Sequence, residues 1–378
     1  MTDDPLSPWA GAAVIAAAVR AGRVSAVDVS TAALDRVQAL NPGINAYTDV
    51  TAARALQEAR AIDAARAAGL PLGPLAGVPF AAKNLFDIAG LPTRAGSRIN
   101  RDRPPARADA TLVTRMNRAG AVLLGALGMG EYAYDFTGEN AHDGACRNPH
   151  DPTRMSGGSS SGSGAATAAG IAPVSLGSDT NGSLRVPASL CGVFSLKPTY
   201  GRLSRGGTFP FVDSLDHLGP MARSVADTAF FMAACVGSHP YDPISRDVSG
   251  DAYWPLPEVD LSTLRIGAVE DFGVCAVDPD IRKTFRDRVK RLSSQVHSCE
   301  PIGLGLSVDM HRAFDILRAE AFLAAYGDTY QSAPESLGAD VLAQVELAAG
   351  FTLADRAWAH LEQTRIARHF AHALSRCD

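Results

Sequence analysis

Residues 155–170 read MSGGSSSGSGAATAAG, and this stretch decides how the fold of the chain is interpreted. Nine consecutive residues, 156–164, are only serine or glycine, a composition typical of flexible linkers. The segment that follows, 165–177, is small and apolar, which indicates tight packing. No change in composition marks a domain boundary on either side. We therefore interpret the run as part of a folded unit.

Strands and helices alternate along the chain, which predicts an α/β fold around a central twisted mixed β-sheet with helices on both sides. Short strands are predicted near 78–82, 121–124, 174–177, 192–196 and 264–269. Helices are predicted within 8–68 and at 109–118, 165–170, 224–236, 280–295, 307–326, 338–349 and 353–374. We predict one domain over 1–378, with a helical segment to residue 70, a core to 236 and a mostly helical remainder.

The composition excludes several classes of function. The net charge of −5 provides no basic field for nucleic acid or for an anionic membrane surface. The apolar run 10–19 is too short to span a bilayer, and the acidic start of the chain does not resemble a secretory signal. Six scattered cysteines without a CxxC pair read as reduced thiols. We expect a cytoplasmic protein that uses neither a metal nor another cofactor.

Lysine is scarce in this sequence. Only four of the 35 basic residues are lysine, and the other 31 are arginine. Arginine does not lose its proton in proteins, so a lysine in an apolar setting suggests that a neutral amine is needed. Lys83 is such a residue, because it ends the predicted apolar strand at 78–82.

Two glycine-rich segments could carry chemistry. The first matches G-x-S-x-G with Ser160 at its centre, but the polar, proline-broken residues 147–154 cannot form the core strand that precedes a nucleophile elbow. A phosphate-binding loop would need G-K-S or G-K-T, which is absent. The second segment, 176–187, turns through Asn181 and Gly182. It is either a tight turn with a serine cap or a set of N–H groups that bind an oxyanion.

Together, these segments resemble the amidase signature family. The family's first serine motif is similar to GGSSSGS at 157–163, and its second to GSDTNGSLRVP at 177–187. Ser159 and Ser183 are 24 residues apart, which is the spacing of the family's two serines. Further similar segments are GVPFAAKN at 77–84, LCGVFSLKPTYGR at 190–202 and SLDHLGPMAR at 214–223. The resemblance covers at least residues 7–270.

The resemblance implies a Ser-cisSer-Lys triad. Ser183 is the nucleophile, Ser159 relays its proton across a cis peptide, and Lys83 is a buried, neutral base. Backbone N–H groups bind the tetrahedral oxyanion, and they belong to Thr180, Asn181, Gly182 and Ser183. Charged residues brace the turn, namely Asp179 and Arg185. Substrate contacts are predicted for Gly158, Asn181 and Tyr132.

Two positions depart from the family pattern. Asn181 replaces a glycine, and we expect the turn to survive because asparagine tolerates left-handed backbone. Ser161 replaces another glycine. We expect the glycines of the serine/glycine run to take positive φ and to let backbone segments approach closely.

Segment 131–151 is most similar to the carboxybiuret hydrolase branch of cyanuric acid catabolism. That branch implies an anionic urea-type substrate and a small helical partner subunit, and we also expect a homo-oligomer. Alternatives are the glutamine amidase subunit of a tRNA-dependent amidotransferase, a general small-amide amidase and a binding subunit without activity. Family members usually continue beyond the position of Asp378 with a further strand, so we expect the chain to be short at its C-terminus.

Overall fold

A computed structural model describes residues 2–270, 272–273 and 275–378. The chain divides into two compact units. The first holds the residues up to Leu256 together with Thr329–Ala343, and the second holds Pro257–Asp328 and Gln344–Asp378. Whether both belong to the one domain expected from the sequence stays a prediction.

The described residues form α-helices and β-strands throughout the chain. The helices are α1 (Ala12–Arg20), α2 (Ala26–Ile44), α3 (Ala52–Ala67), α4 (Thr111–Arg118), α5 (Ser161–Ala168), α6 (Arg185–Cys191), α7 (Val225–Cys235), α8 (Pro279–Ser293), α9 (Val308–Ser332), α10 (Ala339–Ala349) and α11 (Leu353–Leu374). The strands are β1 (Tyr47–Val50), β2 (Pro79–Lys83), β3 (Val122–Leu127), β4 (Arg147–Asn148), β5 (Asp151–Met155), β6 (Val174–Asp179), β7 (Phe194–Ser195), β8 (His217–Ala222), β9 (Arg265–Ala268) and β10 (Ser298–Pro301).

A six-stranded sheet organises the first unit, with the strand order β1-β3-β2-β6-β8-β7. The central strands β3, β2 and β6 run parallel, while β1, β8 and β7 join by antiparallel pairing. Every residue of β2, β3 and β6 is buried, as expected for strands covered on both faces. The predicted α/β fold with a mixed sheet flanked by helices is confirmed.

The serine/glycine run packs into this unit and begins α5 at Ser161. Most of its glycines are needed because neighbouring backbone lies too close to leave room for a side chain. A Cβ on Gly162 would lie 2.3 Å from the carbonyl oxygen of Ala46, and one on Gly158 would lie 2.7 Å from that of Asp135. Within the run only Gly157 has a positive φ, of 80°. The expectation of positive φ therefore holds for one glycine, and packing explains the others.

Several element boundaries differ from the sequence predictions. Helix α2 continues through Pro42 to Ile44, although a proline usually ends a helix and one would be expected to end near Asn41 or Pro42. The side chain of Asn41 supplies the reason, because its Oδ1 accepts hydrogen bonds from the N–H groups of Ala46 and Tyr47 at 2.8 and 2.7 Å. This contact ends the helix beyond the proline and starts β1, which lies within the region expected to be helical. Strands β4, β5, β8 and β10 were not predicted. Strands β4 and β5 form a separate pair, and β5 is mostly exposed, so neither is a strand of the central sheet.

The second unit contains the parallel pair β9–β10 and most of the C-terminal helices. Its core is small and joins α9 to α11 through Ala313, Ile316, Leu317 and Ala359, with Phe351 and Trp358 packed against them. Across the described ranges, none of the helices combines the length and the apolar character that a bilayer crossing requires.

Candidate active site

Lys83 is the centre of the site and has no solvent exposure. Its Nζ lies 2.7 Å from the Oγ of Ser159, 3.0 Å from that of Ser160 and 2.9 Å from that of Ser178. An ammonium group would donate all three bonds, whereas a neutral amine must accept one of them. Ser160 donates its own proton to the carbonyl oxygen of Ser178 at 3.1 Å. The hydroxyls of Ser159 and Ser178 therefore remain as donors to a neutral Lys83.

The electrostatics favour the neutral amine. Burial lowers the pKa of Lys83 to about 7, because the charged form loses its hydration. The negative charges of Asp179, Asp216 and Asp135 oppose this shift but do not cancel it. Near neutral pH a substantial fraction of Lys83 is thus uncharged, which is the state a general base needs.

Ser159 is fully buried, and the peptide bond that joins it to Gly158 is cis. Neighbouring backbone fixes this segment from two directions. The N–H of Gly158 donates to the carbonyl oxygen of Phe136 at 2.8 Å, and the carbonyl oxygen of Ser159 accepts from the N–H of Gly130 at 3.2 Å. Ser159 is therefore held against Lys83 by its own backbone contacts.

Ser183 lies in the turn between β6 and α6 and is 3% exposed. Its carbonyl oxygen accepts a hydrogen bond from the N–H of Ser160 at 3.3 Å. The two serine motifs are thus joined directly, next to Lys83. All three residues predicted for the triad lie in one buried neighbourhood.

The turn before Ser183 carries the predicted oxyanion donors. Gly182 has a φ of 138°, so the positive backbone angle falls on this glycine and not on Asn181. The N–H of Gly182 donates to Oδ1 of Asp179 at 2.8 Å. That N–H is therefore engaged in this structure, and the oxyanion role remains a prediction for Thr180, Asn181 and Ser183.

Asp179 and Arg185 brace the same turn. Asp179 has no solvent exposure, and its two oxygens also accept from the N–H groups of Gly182 and Leu184, the second at 3.1 Å. Arg185 reaches both oxygens from the first turn of α6. The carboxylate thus fixes the backbone on both sides of Ser183.

Two predicted substrate contacts have contrasting settings. Tyr132 is 3% exposed with a φ of 49°, and its ring lies 5.6 Å from that of Phe209. Asn181 is exposed at the turn.

Phe136 is a further residue beside the turn, which the sequence did not indicate. Its Cε1 lies 3.5 Å from the position that a Cβ on Gly182 would take. An aromatic ring therefore borders the turn that carries Ser183.

Sequence reasoning also missed Ser178 and Asp216. Ser178 contacts Lys83 because β6 pairs in parallel with β2, and the sequence does not reveal that register. Asp216 accepts a hydrogen bond from the side chain of Thr180, and strand β8, which begins one residue later, was not predicted.

Within the part of the chain that the structure describes, no group of three or more histidine, cysteine, aspartate or glutamate side chains is arranged to hold a metal ion.

The chain belongs to the amidase family, whose family model matches residues 28–378. It is 57% identical over 306 residues to AtzE, a 1-carboxybiuret hydrolase subunit of Pseudomonas sp. (strain ADP), covering 81% of this chain and 64% of the relative. It is 44% identical over 286 residues to the A subunit of the glutamyl-tRNA(Gln) amidotransferase of Acidothermus cellulolyticus, covering 74% of this chain and 55% of the relative. The chain therefore spans less than two thirds of the length of these relatives.

A similar solved structure is described as a vestigial protein complex that reveals the evolutionary origins of an s-triazine catabolic enzyme. It matches with a TM-score of 0.92 and 42% identity, and the match covers 98% of this chain and 80% of that chain. The arrangement of strands and helices is thus shared along nearly the whole of this chain.

Proposed function

We propose that this chain is an amidohydrolase that cleaves a C–N bond of a small urea-type amide, such as carboxybiuret or a biuret-like compound, and releases ammonia. One observation carries the proposal. The Nζ of Lys83 is wholly buried, lies 2.7 Å from the Oγ of Ser159, and has its pKa lowered to about 7 by burial. Such a lysine can accept a proton from a serine at neutral pH, which a surface lysine cannot.

In the proposed first step, neutral Lys83 accepts a proton from Ser159 while Ser159 accepts one from Ser183. The Oγ of Ser183 then forms a bond to the carbonyl carbon of the substrate. The negative charge that develops on the carbonyl oxygen is stabilised by N–H groups of the turn at Thr180 and Asn181 and by that of Ser183. Fixed donors of this kind contribute most when they are already oriented, and Asp179 fixes this turn.

In the second step the tetrahedral intermediate collapses and its C–N bond breaks. The leaving nitrogen takes the proton held by Lys83, delivered through Ser159, and departs as ammonia. The acyl group stays on Ser183 as an ester. Water then adds to this ester through the same relay, which returns Ser183 to its hydroxyl form and releases the acid product.

The substrate class rests on similarity. The 57% identity to a subunit of a 1-carboxybiuret hydrolase exceeds the 44% identity to a subunit of a tRNA-dependent amidotransferase. These values favour the urea-type substrate over glutamine. Two alternatives remain. A general small-amide amidase would hydrolyse other amides as well, whereas a binding subunit without activity would hydrolyse none.

Partners and location belong to the same proposal. The matched proteins are described as subunits and as a complex, which supports the proposal that this chain works in a complex. The small helical partner and the homo-oligomer stay predictions from the family resemblance. All six cysteines are unpaired, which suits the reducing cytoplasm. The negative net charge supports no direct role in binding nucleic acid.

The test measures ammonia release from carboxybiuret, biuret, urea, malonamide and glutamine by the wild-type chain and by Ser183→Ala. Turnover of a urea-type compound that disappears in Ser183→Ala is the expected result. Release from glutamine only in the presence of charged tRNA and a partner complex would instead identify an amidotransferase subunit. No release from any compound, with the chain folded, would identify a binding subunit.

A further inference from the structure

Thr180 and Asp216 face each other just beyond the ends of two paired strands. The antiparallel register of β6 and β8 pairs Asp179 with His217, so the next residue of one strand lies opposite the preceding residue of the other. The Oγ1 of Thr180 donates to Oδ1 of Asp216 at 2.6 Å. This bond joins the turn that carries Ser183 to the loop before β8.

Asp216 is itself held firmly. It is 9% exposed, and its carboxylate accepts from the N–H of Phe211 at 2.7 Å and from that of Val212 at 3.0 Å. Burial raises the pKa of the Asp216 carboxyl, and the hydrogen bonds donated by Thr180, Phe211 and Val212 oppose this rise because they favour the ionised form. Thr180 is thereby tied to a carboxylate that two backbone N–H groups also hold.

We propose that Asp216 is a positioning residue, which acts through the side chain of Thr180 to orient the backbone N–H groups of Thr180 and Asn181 toward the oxyanion. The inference rests on the proposed function, because it assigns a role within that reaction. The hydroxyl of Thr180 lies at the start of the turn, and Asp179 fixes the turn further along through Gly182 and Leu184. The two carboxylates thus hold opposite ends of the same short segment.

Packing alone does not enforce this contact. A cavity of about 300 Å³ borders Asp216, lined by Arg205, Thr208, Pro210 and Asp213 among others. The loop therefore has room to relax once the hydrogen bond to Thr180 is removed. Small displacements of a donor are costly in catalysis, since a misplacement of about 1 Å can reduce the rate about 100-fold.

The test compares Thr180→Val, which keeps the shape but removes the hydroxyl, with Thr180→Ser, which keeps the hydroxyl. We expect Thr180→Val to lower kcat about 10-fold to 100-fold with KM changed less than about threefold, because the oxyanion forms only in the transition state. Thr180→Ser is expected to restore most of that loss. An unchanged kcat in Thr180→Val, or a serine variant as slow as the valine variant, would overturn the proposal.

A second arm uses Asp216→Asn, with Asp213→Asn as the matched control. Asp213 lies on the same loop, is exposed and pairs with Arg205, so its variant is expected to keep the wild-type kcat. The negative charges of Asp179, Asp216 and Asp135 raise the pKa of Lys83, so the loss of one of these charges lowers it. Asp216→Asn should therefore lower kcat and also move the acidic limb of the rate profile to lower pH.

Thr180→Val removes no charge, so its acidic limb should stay at the wild-type pH. A limb that moves equally in both variants would indicate a general disturbance of the fold and would overturn the positioning role. Should the wild type turn over none of the ureas, the proposed function fails, and the same variants are then compared in the acylation of Ser183 by p-nitrophenyl acetate. A slower acylation in Thr180→Val than in Thr180→Ser would support the positioning role alone, and equal rates would overturn it.

Discussion

Arg185 holds both carboxylate oxygens of Asp179, with its Nε 3.0 Å from Oδ2 and its Nη2 2.9 Å from Oδ1. Burial of Asp179 raises the pKa of its carboxyl, but the bonds from Arg185 and from two backbone N–H groups outweigh burial, and the pKa lies below its ordinary value. The carboxylate therefore stays ionised at neutral pH. The negative charge of Asp179 thus braces the turn that carries Ser183. The half-exposed side chain of Arg185 neutralises that charge.

Replacing Arg185 by alanine should leave Asp179 buried with only its N–H partners. We expect a loss of about 1–2 kcal/mol in the free energy of unfolding, reduced by the solvent exposure of Arg185, and a fall in kcat of about 10-fold. Urea unfolding and ammonia release measure the two effects. Arg154→Ala is the control, because its ion pair with Asp151 is exposed and should contribute within about 0.5 kcal/mol. Equal behaviour of the two variants would contradict the bracing role.

The rate of the wild type should depend on pH through Lys83. Because the base must be neutral and burial lowers its pKa to about 7, kcat/KM should rise with pH with a midpoint near that value. Lys83→Met fills the buried space without an amine and should lower kcat at least about 1,000-fold at every pH. Lys283→Met, at an exposed position, should keep the wild-type profile. Activity of Lys83→Met near the wild-type level would exclude Lys83 as the base.

The same residue should make stability depend on pH. The folded-state pKa of about 7 lies below the value of 10.5 for a free lysine, so between these values the unfolded chain binds a proton that the folded chain does not. The free energy of unfolding should therefore rise from pH 7 to pH 10.5. Above pH 10.5 Lys83 is neutral in both states and its lowered pKa does not affect the free energy of unfolding. Below pH 7 the lowered pKa reduces the free energy of unfolding by its full amount.

Lys83→Met isolates this contribution. The difference in unfolding free energy between wild type and Lys83→Met should change in favour of the wild type as the pH rises from 7 to 10, by several kcal/mol at most. Chemical denaturation at fixed pH values measures it. A difference that stays constant across this range would mean that Lys83 is protonated in the folded state.

Ser178 should matter to the reaction although it is not part of the predicted triad. Its Oγ lies 2.9 Å from the Nζ of Lys83, so Ser178→Ala removes one of the groups that orient the amine. We expect kcat to fall about 10-fold. Ser175→Ala is the matched control, because Ser175 lies on the same strand but donates to the carbonyl oxygen of Ser163. A fall in kcat that is as large in Ser175→Ala as in Ser178→Ala would contradict a specific role of Ser178 in orienting Lys83.

Two glycine substitutions should have opposite effects on stability. Gly162→Ala places a methyl group 2.3 Å from the carbonyl oxygen of Ala46, and the backbone must shift, at a cost of several kcal/mol. Gly43→Ala lies within α2 with nothing within 4 Å of the new Cβ, so it should stabilise by about 0.5–1 kcal/mol. Thermal unfolding compares them. A neutral Gly162→Ala would show that the serine/glycine run is loosely packed.

Local sequence carried much of the fold and of the site. The apolar strand before Lys83 and the two glycine-rich segments are short-range signals, whereas the spacing of Ser159 and Ser183 gained its meaning from the family resemblance. The Nζ of Lys83 lies 2.7 Å from the Oγ of Ser159, and a backbone hydrogen bond joins Ser160 to Ser183. The roles of the individual site residues stay predictions. The predicted strands near 78–82, 121–124 and 174–177 all occur, shifted or extended by a few residues. Periodicity and turn chemistry are enough to locate such elements.

The contacts that local sequence could not supply depend on strand pairing. Asp216 reaches Thr180 through the antiparallel register of β6 and β8, and Ser178 reaches Lys83 through the parallel register of β2 and β6. Register is set by tertiary packing and not by any one segment. The engagement of the Gly182 N–H by Asp179 was missed for a different reason, because it depends on how a carboxylate turns within one tight loop.

The burial of the run Ser156–Gly164 has a practical consequence for cutting the chain. By composition it is the obvious place to nick, to split into two fragments or to insert a tag, since such sites are usually exposed loops of small polar residues. Here every residue from Ser156 to Gly164 is buried, and a protease would have to unfold the region before it could bind. Under native conditions, proteolysis should spare this segment and begin elsewhere. The segment whose composition most resembles a flexible linker is therefore a poor site for cleavage or insertion.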